Sequence, residues 1–186
     1  MVYANIKGFD FIFETDPACF SPRRADRGTL AMLSRVDIKP GDKVLDLGCG
    51  YGAVGITAAR FTPPENVYML DNDDIALTAA RNNAVRNGAA GVRVVKSDAY
   101  AGLDEIGFDL ILSNPPYQTD FSVPKTFIEK GFNRLKIGGR FFMVTKRKLW
   151  YKNKFIAIFG GVKIFEEDGY FVFEAEKRNA RYRNAT

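Results

Sequence analysis

Val44-Leu45-Asp46-Leu47-Gly48-Cys49-Gly50-Tyr51-Gly52 is an apolar run that ends in glycines at alternate positions and opens into a helix-like stretch from Ala53. Glycine belongs where the backbone turns tightly, or approaches a ligand that a side chain would strike. A glycine turn at the carboxyl end of the first strand of an open α/β sheet lies where such sheets bind their ligands. With Gly55 the series also satisfies G-x-G-x-x-G from Gly50, the spacing of dinucleotide sites. Asp46 separates the two readings. Two residues before the first glycine, its carboxylate would repel a pyrophosphate and suit a cationic cofactor with an amino group.

Outward from this turn, strand and helix patterns alternate. Downstream, helix is predicted over 53–60, strand over 67–70, helix over 74–87 with Ile75, Ala79 and Val85 inward, and strand over 92–95. Next come a buried strand over 108–112, a helix over 124–135 stopped by Gly138-Gly139, a strand over 140–145 and a helix over 149–159. Strands over 162–165 and 170–174 around Glu167-Asp168-Gly169 close the chain, and such a tightly joined pair must be antiparallel. Upstream lie a short hairpin over 5–13 around Gly8 and a helix over 26–36 with Leu30, Leu33 and Ser34 on one side. Repeated strand–helix units imply a mostly parallel sheet with helices on both faces, here with an antiparallel last strand. We expect one domain over 1–186: an extension over 1–40, a core over 41–177 and a frayed polar tail over 178–186.

Composition narrows the chemistry. The 186 residues include no histidine, which removes Ser-His, Cys-His and histidine–metal catalysis. Cys19 and Cys49 stand apart with no partner motif, so neither a disulfide framework nor a metal site is expected. No apolar run reaches the length of a membrane span and the N-terminus lacks a signal-peptide pattern, so a cytoplasmic location is expected. The net charge of +5 sits entirely in the second half, and residues 121–154 hold ten Lys or Arg against Glu129 alone. A basic face on an otherwise neutral domain points to an anionic partner, nucleic acid first.

Asp46-x-Gly48-x-Gly50-x-Gly52 resembles the first motif of class I S-adenosylmethionine-dependent methyltransferases, whose sheet is Rossmann-like and seven-stranded. The resemblance implies that Gly48, Cys49, Gly50, Tyr51 and Gly52 pass beside the cofactor. It further implies that Asp71, with Asn72, grips the ribose hydroxyls, a task two acceptor oxygens suit. Asp98 and Ala99 would meet the adenine. Asp73 and Asp74 read instead as helix N-terminal acids.

Ser113-Asn114-Pro115-Pro116-Tyr117 follows the fourth strand of the core and resembles the Asn-Pro-Pro-Tyr motif of methyltransferases acting on planar nitrogens: adenine N6, guanine N2 and protein glutamine. An amine conjugated to a ring is a poor nucleophile, because its lone pair is delocalised. Two acceptors, the Asn114 side-chain oxygen and the Pro115 carbonyl, would pull it toward tetrahedral geometry. Pro115 and Pro116 hold these acceptors in place beforehand. Tyr117 would stack on a displaced base, and Asn114 would also border the cofactor.

Phe20-Ser21-Pro22 and Asp26-Arg27-Gly28-Thr29 are similar to the small-subunit ribosomal RNA guanine-N2 methyltransferases, the "methyltransferase small" family, as is the strand at Gly169-Tyr170-Phe171-Val172-Phe173. In that family the Asp26, Gly28 and Thr29 positions open a helix beside the cofactor. The implied substrate is guanine N2 of 16S ribosomal RNA, with ribosomal RNA or the small ribosomal subunit as partner. Adenine N6 and protein glutamine are the alternatives within the same fold, and a non-catalytic binding module or a nicotinamide-dependent enzyme lies outside it. Lys125, Lys146, Arg147, Lys148 and Lys152 are the candidate phosphate contacts, interleaved with Trp150 and Tyr151.

Overall fold

The computed structural model describes residues 1–15, 25–115 and 120–182. Two strands, β1 (Val2–Ile6) and β2 (Phe9–Phe13), form an antiparallel hairpin ahead of helix α1 (Arg27–Arg35). The core runs β3 (Val44–Leu47), α2 (Ala53–Ala58), β4 (Val67–Asp71), α3 (Asp74–Arg86), β5 (Arg93–Lys96) and β6 (Phe108–Ser113). It continues with α4 (Ser122–Arg134), β7 (Leu135–Thr145), α5 (Leu149–Phe159), β8 (Lys163–Glu167) and β9 (Tyr170–Glu176). The seven core strands form one sheet in the order β5-β4-β3-β6-β7-β9-β8. The first five are parallel, while β9 runs antiparallel to both neighbours. The expected architecture is therefore present, with the last strand inserted inside the sheet.

Alternation along the strands sorts side chains into two cores. Val44, Val67, Met69, Leu110 and Leu112 face α1, α2, α3 and the hairpin. Leu45, Leu47, Leu70, Ile111, Phe141 and Met143 face α4 and α5. All four residues of β3 are buried, as expected of a central strand covered on both faces. β3 lies between β4 and β6, so the strand order reverses beside it, and open sheets part into a crevice at such a point.

Asn83 and Asn87 of α3 hold the hairpin to this core. Asn83 exchanges two hydrogen bonds with the backbone of Glu14, and Asn87 does the same with Ile12. These side chains give the hairpin the pairing a further strand would otherwise supply. Phe11 and Phe13 from β2 are buried beneath it.

Several local expectations are corrected or refined. Ile75 is 49% exposed and Val85 68% exposed; α3 turns Ala76, Leu77, Ala80, Asn83 and Ala84 inward instead. Small residues and one bonded amide let this helix approach closely, which apolar periodicity alone does not reveal. Ser34 of α1 is exposed and Leu30 only half-buried, while Thr29, Met32 and Leu33 form the buried side. Gly138-Gly139 does not stop α4, which ends at Arg134. The pair lies within β7, where the register against β6 slips between Leu135 and Arg140 and an added Gly139 Cβ would sit 2.6 Å from the Phe108 carbonyl oxygen. In the expected polar tail residues 178–181 are exposed, while Tyr182 packs back, its ring edge-on to Phe132 and its hydroxyl donating to the Glu129 carbonyl. The hairpin also begins at Val2, earlier than expected.

Gly131 tests the packing of the α4 face. A Cβ there would lie 2.5 Å from both the Phe141 ring and the Tyr100 hydroxyl oxygen. Alanine normally favours a helix by up to about 1 kcal/mol over glycine. Here the clash reverses the sign, and Gly131→Ala is expected to cost about 1–3 kcal/mol, read as a lower denaturant midpoint.

Candidate active site

The backbone leaves β3 through three left-handed turns, at Gly48 (φ +75°), Gly50 (φ +54°) and Gly52 (φ +93°). For any other residue this conformation is strained, which is the local reason for alternate glycines. The amides of Gly48 and Cys49 both donate to the Leu70 carbonyl, at 2.8 and 2.9 Å. The Gly50 amide donates to Asp71 Oδ2 at 2.9 Å. A Cβ on Gly50 would meet nothing within 4 Å. Gly52 caps α2 and packs on Ala80, and Gly55 leaves room for the Met69 side chain and the Asp46 carboxylate. The extra glycine of the dinucleotide-like spacing thus has a packing explanation.

Asp46 lies behind the loop, 2% exposed, with Oδ2 accepting from the Gly55 amide at 2.8 Å. Burial pushes its pKa up to about 7; the Gly55 bond pulls it down in part, and the nearby Asp71 carboxylate raises it further. Burial first, then the Asp46 and Asp71 charges, pushes the Cys49 thiol well above its ordinary range, so it is no nucleophile. Asp71 Oδ1 also accepts from the Asp73 amide. Asp73 caps α3, as its sequence position suggests, yet it lines the same cleft. After β5, Ser97 donates its amide to the Asp71 carbonyl and its hydroxyl to the Ala99 carbonyl, leaving Asp98 exposed at the rim.

The fourth corner comes from β6. The Ser113 hydroxyl donates to the Leu47 carbonyl at 2.8 Å, tying the ends of β6 and β3 together. Next to it, Asn114 Nδ2 donates to Asp26 Oδ1 at 2.7 Å and to Thr29 Oγ1 at 3.0 Å. Asn114 Oδ1 is buried with no hydrogen-bond partner, alone in this among side-chain polar atoms of the described residues. Pro115 is buried but does not line the cleft. Pro116 and Tyr117 lie outside the described residues, as do Cys19 and Phe20-Ser21-Pro22.

These corners enclose a cleft of about 400 Å³. It brings together Asp26, Thr29, Asp46, Gly48, Cys49, Gly50, Tyr51, Asp71, Asn72, Asp98, Ala99 and Asn114. Gly28 and Gly52 are outside its lining: Gly28 lets the start of α1 pass Tyr170, and Gly52 serves the packing of α2 on α3. The apolar wall of Leu70, Val54, Ala76, Val123 and Phe127 was not anticipated; the one available signal is the i, i+4 spacing of Val123 and Phe127 just past the Asn114 loop. Five aspartates line the cleft, at 26, 46, 71, 73 and 98, with no lysine or arginine among the lining residues. Such a wall suits ammonium and hydroxyl groups and opposes a pyrophosphate. Among the described residues no cluster of three or more His, Cys, Asp or Glu is placed to hold a metal ion.

β6 and β7 are parallel neighbours, so Asn114 and the Lys146-Arg147-Lys148 turn emerge at the same end of the sheet. Arg147 lies over the Phe121 ring, which stacks on Trp150 with centroids 4.4 Å apart. Lys146 lies over Tyr170, and Lys148 over Phe171 near Glu166. Lys125 on α4 and Lys152 on α5 are exposed. Lys154 is instead paired with Glu129, and Arg134 donates to the carbonyls of Asp104 and Glu105. Among the described residues no helix is long and apolar enough to cross a membrane.

The family model described as "Methyltransferase small domain" matches residues 10–174. The chain belongs to this family. Methyltransferases of this small-domain family use S-adenosylmethionine, and the acid-lined cleft fits that cofactor's cationic, hydroxyl-bearing chemistry. Among relatives of this methyltransferase small domain, Pseudomonas putida ribosomal RNA small subunit methyltransferase C is 33% identical over 168 residues, covering 87% of this chain and 49% of that protein. Bacillus subtilis YbxB, described only as uncharacterized, is 28% identical over 181 residues, 93% of this chain and 89% of its own. The solved structure of Thermus thermophilus 16S rRNA N2 G1207 methyltransferase, RsmC, in complex with AdoMet and guanosine, superposes with a TM-score of 0.85 at 28% identity, covering 95% of this chain and 50% of that one. The small domain thus spans about half the length of the Pseudomonas and Thermus proteins.

The raised pKa of Asp46 sets a pH signature. An acid whose folded pKa lies above its unfolded value costs stability as pH rises from about 4 to about 7, and by a constant amount beyond. Asp46→Asn removes the charge while an amide oxygen can still meet Gly55. The variant is therefore expected to gain on the parent by roughly 2–3 kcal/mol between pH 5 and pH 8, measured by denaturant unfolding of ligand-free protein at both pH values.

Proposed function

We propose that this protein transfers a methyl group from S-adenosylmethionine to the exocyclic N2 amine of a guanine in 16S ribosomal RNA. The observation that carries the reading is the unpartnered oxygen of Asn114, buried at the edge of an acid-lined cleft. A buried acceptor left open is costly unless a ligand donor completes it. The names of the Pseudomonas and Thermus relatives, which act on small-subunit ribosomal RNA and, in the Thermus case, at guanine N2, support the choice of base.

The residues divide the work as follows. The backbone of Gly48 to Gly52 runs beside the cofactor's methionine part, Asp46 balances its ammonium group, Asp71 with Asn72 holds the ribose hydroxyls, and Asp98 with Ala99 meets the adenine. When bound, S-adenosylmethionine supplies a methyl group on a positively charged sulfur, so the amine needs no strong base during transfer. Asn114 Oδ1 accepts one hydrogen of the target amine and draws its lone pair out of conjugation. We assign the second acceptor to the Pro115 carbonyl and the stacking surface to Tyr117, with Pro116 stiffening the turn. Lys125, Lys146, Arg147, Lys148 and Lys152 hold the RNA phosphates beside the cleft. The catalytic core is residues 41–177, and the extension over 1–40 brings Asp26 and Thr29 to it. The partner is ribosomal RNA or the small subunit, and the site of action is the cytoplasm.

Adenine N6 and a glutamine side chain also present N–H donors, so the Asn114 oxygen suits them equally. Nucleoside analysis of small subunits and naked 16S RNA incubated with labelled cofactor decides. Label in N2-methylguanosine is expected; label in N6-methyladenosine would move the assignment to adenine. S-adenosylhomocysteine should bind in a titration, and NADH should not.

Asn114→Ala is expected to lower kcat roughly 10²–10³-fold with S-adenosylhomocysteine affinity changed by less than about twofold; full activity would remove Asn114 from the chemistry. Lys146→Glu combined with Lys148→Glu should weaken RNA binding and flatten its dependence on salt, since fewer counterions are released. An unchanged salt slope would take the basic turn out of the RNA interface.

A further inference from the structure

We propose that Asp26 and Thr29 are positioning residues that fix the Asn114 amide with its oxygen toward the cleft, so that the site accepts hydrogen-bond donors and turns acceptors away. The inference rests on the methyltransferase reading above and gives the Asp26-x-Gly28-Thr29 stretch a task other than touching the cofactor.

The two ends of an asparagine amide are nearly the same size, so packing alone does not choose between them. Here the neighbours choose. A carboxylate offers only acceptors, and Asp26 Oδ1 lies 2.7 Å from one end of the amide. Thr29 Oγ1 lies 3.0 Å from the same end. Only the NH₂ can face both, and it spends its two hydrogens there. The oxygen is left outward and open, and the amide has no donor to give a substrate. A flipped amide would set oxygen against oxygen at Asp26.

The clamp is itself held. Asp26 is the N-cap of α1, and its Oδ1 also accepts from the Thr29 amide at 2.9 Å while its carbonyl accepts from the Leu30 amide. Asp26 and Thr29 are 7% and 6% exposed. Gly28 completes the device, because a Cβ there would come within 3.0 Å of Asp26 Oδ1 and 2.9 Å of the Tyr170 ring. A site whose open amide end is an acceptor selects an amine over a ring carbonyl, and on guanine those are N2 and O6.

The test uses full-length protein. Asp26→Ser keeps an equally good helix cap but is too short to reach Asn114. Thr29→Val keeps the shape and loses the acceptor, and Thr29→Ser keeps the acceptor. We expect Asp26→Ser and Thr29→Val each to lower kcat roughly tenfold to a hundredfold, with S-adenosylhomocysteine affinity within about twofold, and Thr29→Ser to recover most of the loss. Unchanged kcat overturns the proposal. So does a loss of S-adenosylhomocysteine affinity in step with kcat, which would make the stretch a cofactor contact. A second readout needs no reaction. The side-chain amide signal of Asn114, identified by its absence in Asn114→Asp, should exchange slowly in the parent and quickly in Asp26→Ser and Thr29→Val. If the parent methylates no RNA, the proposed function falls, and this exchange alone decides the clamp: protection lost in both variants sustains it, and equal exchange in all three proteins refutes it.

Discussion

Between Leu47 and Ala53 the backbone must pass from strand to helix through left-handed turns at Gly48, Gly50 and Gly52 while bordering the cleft. The end of β4 makes this possible. Its Leu70 carbonyl receives two amides of the loop, and the Asp71 carboxylate receives a third. The pairing of Leu47 with Leu70 therefore sets the shape of the loop before any ligand arrives. Ser113 binds the third strand end to the same point. Three strand termini, each fixed to another by a named bond, give the cleft a rigid floor, which is what a reaction governed by positioning requires.

The floor is electrostatically unusual. Five carboxylates border one small cavity, and one of them, Asp46, is buried deeply enough to sit near its own midpoint at neutral pH. A fold that sought only stability would place leucine or asparagine there. The cost is accepted where a cation is to be received, because a bound positive charge restores what burial removes. The same wall explains why the glycine spacing shared with dinucleotide sites does not mark one here: a pyrophosphate would meet Asp46 and Asp71 instead of free amides.

Much of this was legible in the residues. Apolar runs punctuated by glycine and proline mark nearly every strand and helix, because a sheet covered on both faces needs such runs. The acids at 46, 71 and 98 stand at strand ends, and Asn114 follows a strand, so each could be placed by counting. The rest depended on partners distant in sequence. Nothing near Ile75 or Val85 says that α3 turns its alanines inward; that choice is made by Gly52 and the hairpin. Gly138-Gly139 looks like a helix stop because a bulge against β6 leaves no local mark. Val123 and Phe127 belong both to the core under α4 and to the cleft wall, a double role that their spacing alone does not announce. The bonds from Asp26 and Thr29 to Asn114 join positions more than eighty residues apart, beyond any periodicity.

Asn83 carries a consequence of its own. Its two amide hydrogens go to the carbonyls of Glu14 and Tyr51, and its oxygen receives the Glu14 amide and Arg86. One side chain thereby welds the exit of the hairpin to the glycine turn. Phe13 of the same hairpin also packs on the ring of Tyr51, which lines the cleft, so these first residues steady the turn from behind. Their contribution to the enzyme is stiffness, delivered through an amide whose every valence is already spoken for.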